Sequence, residues 1–139
     1  MKEMPAHDPA LSALAEATYV SLRTFRRDGS SVDTPVWVAG FDGSLVAFTD
    51  GTSWKVKRLR ANPHCAVAAC NAVGTVSSEW FPGSVHVSAD SERERRAFDA
   101  LRAKYGLQMR MLDLVSWLGG RIGRRVVLEV VLSDSGAPA

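Results

Sequence analysis

Four basic side chains, Lys55, Lys57, Arg58 and Arg60, lie within six consecutive positions of the sequence, shortly after Ser53. Cations this close repel one another, and the segment has no acidic residue to neutralise them. Free N–H groups at the start of a helix, a hydroxyl cap and neighbouring cations together favour a phosphate or carboxylate. The spacing therefore indicates an anion site. The alternative is that these are solvated side chains on an exposed helix, with or without carboxylate partners from elsewhere in the chain.

The element that must carry these cations is a short helix. Ser53 can serve as its N-cap, Val56 and Leu59 lie three apart on one face, and Asn62-Pro63 ends it. The cations then divide into two pairs, one on each flank: Lys55 with Arg58, and Lys57 with Arg60. Two turns are too short to follow a nucleic-acid backbone, and two apolar residues are too few for a membrane surface. A compact anion is therefore favoured.

A second chemical signal is Pro35, which stands inside an otherwise regular strand. Proline cannot donate to a strand ladder, so this position predicts a sheet edge, a bulge, or a place where a ligand lies against the backbone. Trp37 falls on the same face as Pro35. It either packs in the core or forms the wall of a site for a planar ligand.

Strand patterns dominate the first part of the chain. Period-two alternation predicts strands over 17–25, 31–40 and 44–50, joined by Asp-Gly turns at 28–29 and 42–43. We expect these three strands to form an antiparallel meander. The following strand, 64–72, is small and apolar, as if buried on both faces.

Two helices and further strands follow. A strand over 75–89, interrupted near Pro82-Gly83, precedes a helix over 91–105 with a predicted capping box from Ser91 to Glu94. A second helix ends at Gly119-Gly120, and 124–133 reads as a closing strand. The residues predicted to face inward are Phe98, Leu101 and Tyr105 in the first helix, and Met111, Leu114, Val115 and Leu118 in the second. This order of elements favours a small antiparallel barrel with peripheral helices over a Rossmann sheet.

Composition limits the possible functions. The chain has 139 residues and a formal charge of +2, which predicts one domain (1–139, with 1–14 and 134–139 as flexible tails) and no general affinity for nucleic acid. Its apolar runs are too short to cross a bilayer, and no secretory signal is expected. Cys65 and Cys70 are an odd number of positions apart in one strand, so we expect free thiols in a cytoplasmic protein. The three histidines lack metal-ligand spacing, and no metal site is expected.

The segment from Asp33 to Cys70, "DTPVWVAGFDGSLVAFTDGTSWKVKRLRANPHCAVAAC", resembles the split β-barrel flavin and deazaflavin oxidoreductases of the pyridoxamine 5′-phosphate oxidase-like superfamily. Within that superfamily it is most similar to the coenzyme F420-dependent branch of actinobacteria. The matching features are a T-P-x-W strand, a strand ending in Thr, a K-x-K-R-L-R helix and an N-P before an apolar strand. The "KYGLQMRMLDLV" segment also fits, so the likeness covers residues ~15–133.

The resemblance implies an FMN-binding-like split barrel, a homodimer with cofactor sites at the subunit interface, and hydride transfer between reduced coenzyme F420 and a small organic substrate. The cofactor ring would lie beside one strand, and the helix would hold the phosphate and the acidic oligoglutamate tail. Lys55 and Lys57 match the recurring basic positions best. The residues implied to contact the cofactor are Thr34, Pro35, Val36, Trp37, Thr49, Ser53, Trp54, Lys55, Lys57 and Arg58. Candidates contributed by the partner subunit are Trp80, Trp117, Arg121 and Arg124.

Other functions remain open at the level of sequence. An FMN-dependent oxidoreductase or flavin reductase of the same fold would leave part of the basic helix unexplained, because FMN carries one phosphate. Some split-barrel relatives bind haem, for which His64 and His86 are the available ligands. A non-enzymatic module that binds a cofactor or a polyanion is the remaining alternative. No residue is singled out as catalytic, and the possible proton donors are Tyr19, His64, His86 and Tyr105.

Overall fold

The computed structural model describes residues 9–120 and 125–133. The strands in these ranges are β1 (Tyr19–Phe25), β2 (Ser31–Val36), β3 (Ala39–Phe41), β4 (Ser44–Asp50), β5 (His64–Cys70), β6 (Phe81–Val87) and β7 (Arg125–Leu132). The helices are α1 (Pro9–Glu16), α2 (Trp54–Ala61), α3 (Ser91–Tyr105) and α4 (Leu107–Leu118). None of these helices is long and apolar enough to span a membrane.

The strands form a single curled sheet in the order β2-β1-β5-β6-β7-β4-β3, with every neighbouring pair antiparallel. The two edge strands, β2 and β3, are consecutive in the chain, and only Trp37 and Val38 separate them. The sheet must therefore curl until its edges come within that short reach, which makes it a split barrel. This confirms the predicted fold class, mostly β with peripheral helices.

The predicted meander is wrong in its second strand. The segment 31–40 is two strands at opposite edges of the sheet: β2 pairs with β1, and β3 pairs with β4. The break occurs at Val38, which is 1% exposed and whose N–H donates to the Tyr105 hydroxyl at 3.0 Å. Both Asp-Gly turns are confirmed. At the second one, Asp42 and Gly43 have φ values of 53° and 76°, which suits the two-residue hairpin between β3 and β4.

Two apolar clusters lie on the two faces of the sheet. The barrel interior is filled by side chains such as Leu22, Leu45 and Leu128, and α1 and α2 contribute Leu14 and Leu59 to it. The second cluster packs α3 and α4 on the outer face of β3, β4 and β7. The cation-bearing helix is thus attached to the interior cluster, whereas α3 and α4 cover the opposite face.

The predicted flexible tail over 1–14 is wrong for its last part. Residues 9–14 belong to α1, where Leu11 and Leu14 are 8% and 1% exposed within the barrel cluster. The Lys104 ammonium group donates to the carbonyls of Ala15 and Ala17 at 2.7 and 2.6 Å, which satisfies the free end of the helix. Residues 1–8 and the predicted tail 134–139 lie outside the described ranges.

The predicted inward stripe of α4 is also wrong. Met111, Leu114 and Leu118 are 55%, 48% and 69% exposed, while Met109 and Ser116 face the protein. The Asp113 carboxylate fixes this orientation, because it accepts hydrogen bonds from Arg102 at 2.8 Å and Arg125 at 2.9 Å. These partners lie in α3 and β7, outside α4, and their hydrogen bonds override the pattern of apolar residues within α4.

The stripe of α3 is buried as predicted at Leu101 and Tyr105, and Phe98 is half-buried against the second cluster. The predicted capping box is wrong. Asp90 is the N-cap, and its carboxylate accepts from the N–H groups of Glu92 and Arg93. A carboxylate satisfies these N–H groups and interacts favourably with the positive end of the helix.

Pro82 and Gly83 do not interrupt a strand but lie inside β6, in register with Ala66 and Cys65. A Cβ at Gly83 would come within 2.7 Å of the Val131 carbonyl oxygen, so only glycine fits here. The predicted strand over 75–80 is reduced to one bridge between Cys70 and Val76. Both cysteines of β5 are free, as predicted.

Candidate functional site

The start of α2 is built by local hydrogen bonds. One Asp50 carboxylate oxygen accepts from the Thr52 N–H at 2.8 Å and the Thr52 hydroxyl at 2.7 Å. The Ser53 N–H then donates to the Asp50 carbonyl, and the Ser53 hydroxyl accepts from the Val56 N–H. Ser53 is therefore the N-cap that the sequence predicts. Thr49 is the next-to-last residue of β4, just before this turn, and faces the barrel interior with Leu45 and Ala47.

The two faces of α2 are those predicted. Val56 and Leu59 are 0% and 2% exposed and join the core, while Lys57 and Arg60 are exposed. Lys55 and Arg58 lie half-buried on the other flank. Burial lowers the pKa of Lys55, and the neighbouring charge of Arg58 lowers it further. An anion at this flank would relieve both effects.

The cations of α2 have few partners. The Lys57 ammonium lies 4.5 Å from the ring centre of the exposed Trp54, and the Arg58 guanidinium contacts the Thr24 hydroxyl at 3.3 Å. Across residues 9–120 and 125–133, none of the four basic side chains of the helix forms an ion pair with a carboxylate. Pairing with carboxylates from elsewhere in the chain is therefore absent from the described structure, whereas the other form of the alternative, a solvated helix face, agrees with the exposure of Lys57 and Arg60.

The residues of β2 are placed by their register on β1, the strand that α2 contacts through Arg58 and Thr24. Thr34 and Val36 pair with Leu22 and Val20 and share their interior face, whereas Pro35 is exposed on the other face opposite Ser21. Because β2 is an edge strand, its outer backbone groups are free of strand partners. Pro35 thus marks a sheet edge, one of the three possibilities that the sequence raised.

Arg58 joins the helix to the start of this strand. Its partner Thr24 is in register with Val32 of β2. Trp37 directly follows the other end of β2. Five residues of extended chain, at 3.3 Å per residue, place it at most about 16 Å from Val32. The predicted residues therefore do not form one tight cluster. They form a line from Trp37 along β2 to the cations of α2.

Trp37 itself packs against the protein. Its ring stacks on Tyr105 with centroids 4.5 Å apart and planes at 11°, within the second apolar cluster. The Tyr105 hydroxyl donates to the Thr18 carbonyl at 2.7 Å and accepts from the Val38 N–H at 3.0 Å. Burial raises the pKa of Tyr105 to about 12. Tyr105 is therefore an anchor for Trp37, and its engaged hydroxyl removes it from the set of possible proton donors.

One buried polar atom in this region has no partner. Ser21, 1% exposed, lies opposite Pro35, and its hydroxyl forms no hydrogen bond within the described structure. Such orphaned groups are uncommon and frequently mark a functional surface. Sequence reasoning did not find Ser21, because a lone serine in a strand carries no pattern.

Of the residues expected from the partner subunit, two are described. Trp80 lies half-buried under the Arg23 guanidinium at 3.8 Å, and Trp117 is 65% exposed on α4. Arg121 and Arg124 lie outside the described residues. His64 and His86 are exposed on β5 and β6.

A cleft that the sequence did not reveal lies at the C-terminal end of α2. Here the β1–β2 hairpin and the helix enclose an open cleft of about 510 Å³. It is lined by Phe25, Arg26, Arg27, Arg58, Ala61 and Asn62. Two adjacent arginines before an Asp-Gly turn were the available signal.

An antiparallel sheet that curls until consecutive edge strands meet, with a cationic helix at one end, defines the class of pyridoxamine 5′-phosphate oxidase-like split barrels. The comparison with protein families agrees: the family described as pyridoxamine 5′-phosphate oxidase matches residues 7–133, and the chain belongs to it. The resemblance inferred from the sequence is therefore confirmed at the level of the family. No curated protein matches the chain.

Several solved structures share the fold. A conserved hypothetical protein from Mycobacterium tuberculosis has a TM-score of 0.69 at 19% identity, over 91% of this chain and 81% of its own. The haem-storage protein HutZ from Vibrio cholerae has a TM-score of 0.66 at 10% identity, over 92% and 91%. A protein named F420 reductase has a TM-score of 0.57 at 16% identity, over 88% and 93%. At these identities the likeness concerns the fold alone, and the named functions differ.

Proposed function

We propose that this protein binds coenzyme F420 and transfers hydride between the reduced deazaflavin and a small organic substrate in the cytoplasm. The observation that carries the proposal is the charge of α2, whose four cations have no carboxylate partner in the described structure. Coenzyme F420 carries a phosphate and an acidic oligoglutamate tail, which together match several cations. FMN carries a single phosphate and would leave part of this charge uncompensated.

The residues present fit such a cofactor. Lys57 and the half-buried Lys55 would hold the phosphate and the first tail carboxylates, close to the N-terminal end of α2. The free edge of β2 around Thr34 would accept the polar edge of the ring, and Trp37 fixes the far end of this line through its stacking on Tyr105. When bound, the deazaflavin supplies the hydride chemistry.

The protein's own part is therefore binding, orientation and exclusion of water. Tyr105 is excluded as a proton donor by its engaged hydroxyl. His64 and His86 are exposed and remain available, as does Tyr19, and solvent can serve the same purpose. No residue of the chain is assigned a catalytic role.

We further propose that the protein acts as a homodimer. The apolar face of α4 is open to solvent, with Leu107 74%, Trp117 65% and Leu118 69% exposed, and an exposed apolar patch of this kind commonly marks an interface. The single chain also leaves the β2 side of the cofactor line uncovered. A second copy seated on the α4 face would cover the apolar side chains, and the resemblance implies that it would complete the site.

The proposal is tested by titrating the purified protein with coenzyme F420 and with FMN at two salt concentrations, following tryptophan and ligand fluorescence. We expect tight, salt-sensitive binding of coenzyme F420 and weak binding of FMN. Lys57→Ala should weaken coenzyme F420 at least about tenfold, because a charge-assisted contact contributes about 1.5–3 kcal/mol. Arg96→Ala, which removes an exposed charge from α3 and leaves the α4 face intact, is the matched control.

The other outcomes separate the alternatives. Preference for FMN would assign the protein to the flavin-dependent members of the same fold. Binding of any polyanion without a change in chromophore fluorescence would indicate a non-enzymatic module. Unchanged affinity in both Lys57→Ala and Lys55→Ala would show that α2 does not hold the anionic part of the cofactor.

A further inference from the structure

The cleft between the β1–β2 hairpin and the C-terminal half of α2 concentrates positive charge. Three of its six lining residues are arginines: Arg26 and Arg27 from the hairpin and Arg58 from the helix. Phe25 and Ala61 supply apolar wall, and Asn62 closes the helix side. The cleft therefore offers guanidinium groups around a partly apolar floor, which is the arrangement that suits a carbon chain bearing several anionic groups.

These charges are not balanced by the protein. Over residues 9–120 and 125–133, none of the three guanidinium groups forms an ion pair with a carboxylate. Asp28 lies in the hairpin turn next to Arg27, and one of its carboxylate oxygens accepts from both the N–H and the hydroxyl of Ser30. These hydrogen bonds, and less strongly the charge of Arg26, lower the pKa of Asp28.

The positions of two of the arginines are set by the fold. The Arg58 guanidinium donates to the buried Thr24 hydroxyl at 3.3 Å, and Arg26 donates to the Ser30 hydroxyl at 3.2 Å. Arg27 is exposed and has no such constraint within the described structure. Arg58 and Arg26 are held by these hydrogen bonds, so they lose little side-chain entropy when an anion binds. The exposed Arg27 can change rotamer to fit anions of different shape.

This cleft is separate from the N-terminal end of α2. The helix has 8 residues, so its two ends lie about 12 Å apart at 1.5 Å per residue. The helix dipole disfavours an anion at the C-terminal end, so binding there must depend on the arginines. The two regions thus attract anions for different physical reasons.

We propose that the cleft is a second anion-binding site, which takes a group bearing two or more carboxylates or a phosphate. Two sources share this chemistry. One is a separate small polyanion. The other is the far part of the acidic tail of the cofactor, reaching along α2 from its N-terminal end, and this second source rests on the proposed function.

The test uses isothermal titration calorimetry on the full chain with three probes. Citrate reports on anion binding, and the dependence of its affinity on Arg27 assigns it to the cleft. Coenzyme F420 with several glutamates and the same deazaflavin without glutamates report on the tail. The variants are Arg27→Ala, Arg27→Glu and Arg27→Lys, with Arg96→Ala as a control for loss of an exposed charge. Arg27 is exposed, so these changes should leave folding intact, which circular dichroism checks.

We expect saturable citrate binding to the wild type, weakened at least about tenfold in Arg27→Ala, weakened further in Arg27→Glu and largely retained in Arg27→Lys and Arg96→Ala. If long-tail coenzyme F420 weakens in parallel while the form without glutamates does not, the occupant is the cofactor tail. If only citrate weakens, the occupant is a separate polyanion. Citrate binding that is absent in the wild type, or unchanged in Arg27→Ala and Arg27→Glu, would overturn the proposal. Failure of coenzyme F420 to bind at all, with the citrate response intact, would reject the proposed cofactor and leave the second site standing.

Discussion

Replacing Tyr105 with phenylalanine tests the contact that holds the crossover between the two sheet edges. The change removes only the hydroxyl group, which donates to the Thr18 carbonyl at 2.7 Å and accepts from the Val38 N–H at 3.0 Å. The stacking on Trp37 at 4.5 Å can persist, because the ring remains. The variant therefore isolates the polar part of the anchor from its packing part.

The expected loss of stability follows from the burial of the groups that lose their hydrogen-bond partner. Tyr105 is 8% and Val38 1% exposed, so water cannot readily replace the lost hydroxyl. A buried N–H without a partner costs about 1–3 kcal/mol, and the lost bond to Thr18 adds about 0.5–1.5 kcal/mol. We expect a loss of about 1.5–4.5 kcal/mol in the free energy of unfolding, which corresponds to a fall in Tm of about 5–14 °C for a domain of this size.

Urea unfolding followed by tryptophan fluorescence measures this loss, at one fixed protein concentration so that any dimerisation contributes equally. Tyr19→Phe is the control, since the Tyr19 hydroxyl forms no hydrogen bond within the described structure. It should cost less than about 0.5 kcal/mol. A loss below about 0.5 kcal/mol in Tyr105→Phe, with an unchanged m value, would refute the claim that this hydroxyl holds the crossover.

Two more predictions concern the helices. Leu59→Ala should cost about 2–5 kcal/mol of stability, because Leu59 is 2% exposed in the barrel cluster, and it should leave the affinity for anions unchanged in the folded fraction. Loss of affinity at full stability would show that Leu59 is on the ligand side of α2. Asp113 gives a pH dependence: burial raises the pKa of its carboxyl, but the hydrogen bonds from Arg102 and Arg125 outweigh this and leave it lowered. A lowered folded-state pKa contributes stability that is present above the unfolded value of about 3.9 and is lost as pH falls through the folded value. The stability difference between wild type and Asp113→Asn should therefore be largest near neutral pH and shrink below about pH 4, and a difference that stays constant down to pH 2 would contradict it.

The features that the sequence predicts correctly are local ones. The N-cap at Ser53, the buried pair Val56 and Leu59, and the Asp-Gly turns all depend on residues a few positions apart. Their physical causes are hydrogen bonds and periodic burial within one element, so a single sequence is enough to find them. The cationic helix at the centre of the candidate site belongs to this group.

The features that the sequence does not predict depend on contacts with residues in other strands and helices. Nothing in the alternation of 31–40 reveals that the Val38 N–H donates to Tyr105, 67 residues away, and so ends one strand and starts another. In α4, Asp113 is fixed by Arg102 and Arg125, which turns the apolar stripe outward. The arginine cleft likewise joins a hairpin to the end of a helix, and its parts look ordinary when read separately.

The place of β7 in the sheet has a consequence for how the chain reaches its native state. This strand pairs with β6 on one side and β4 on the other, and it alone joins the block β2-β1-β5-β6 to the block β4-β3. Every other strand and helix of the described structure precedes it in the chain. During synthesis on the ribosome the two blocks are therefore made first but remain without a common ladder, with the pairing edges of β4 and β6 open. Folding of the barrel must wait for residues 125–132, and a nascent chain stalled before them would expose two strand edges to chaperones or to aggregation.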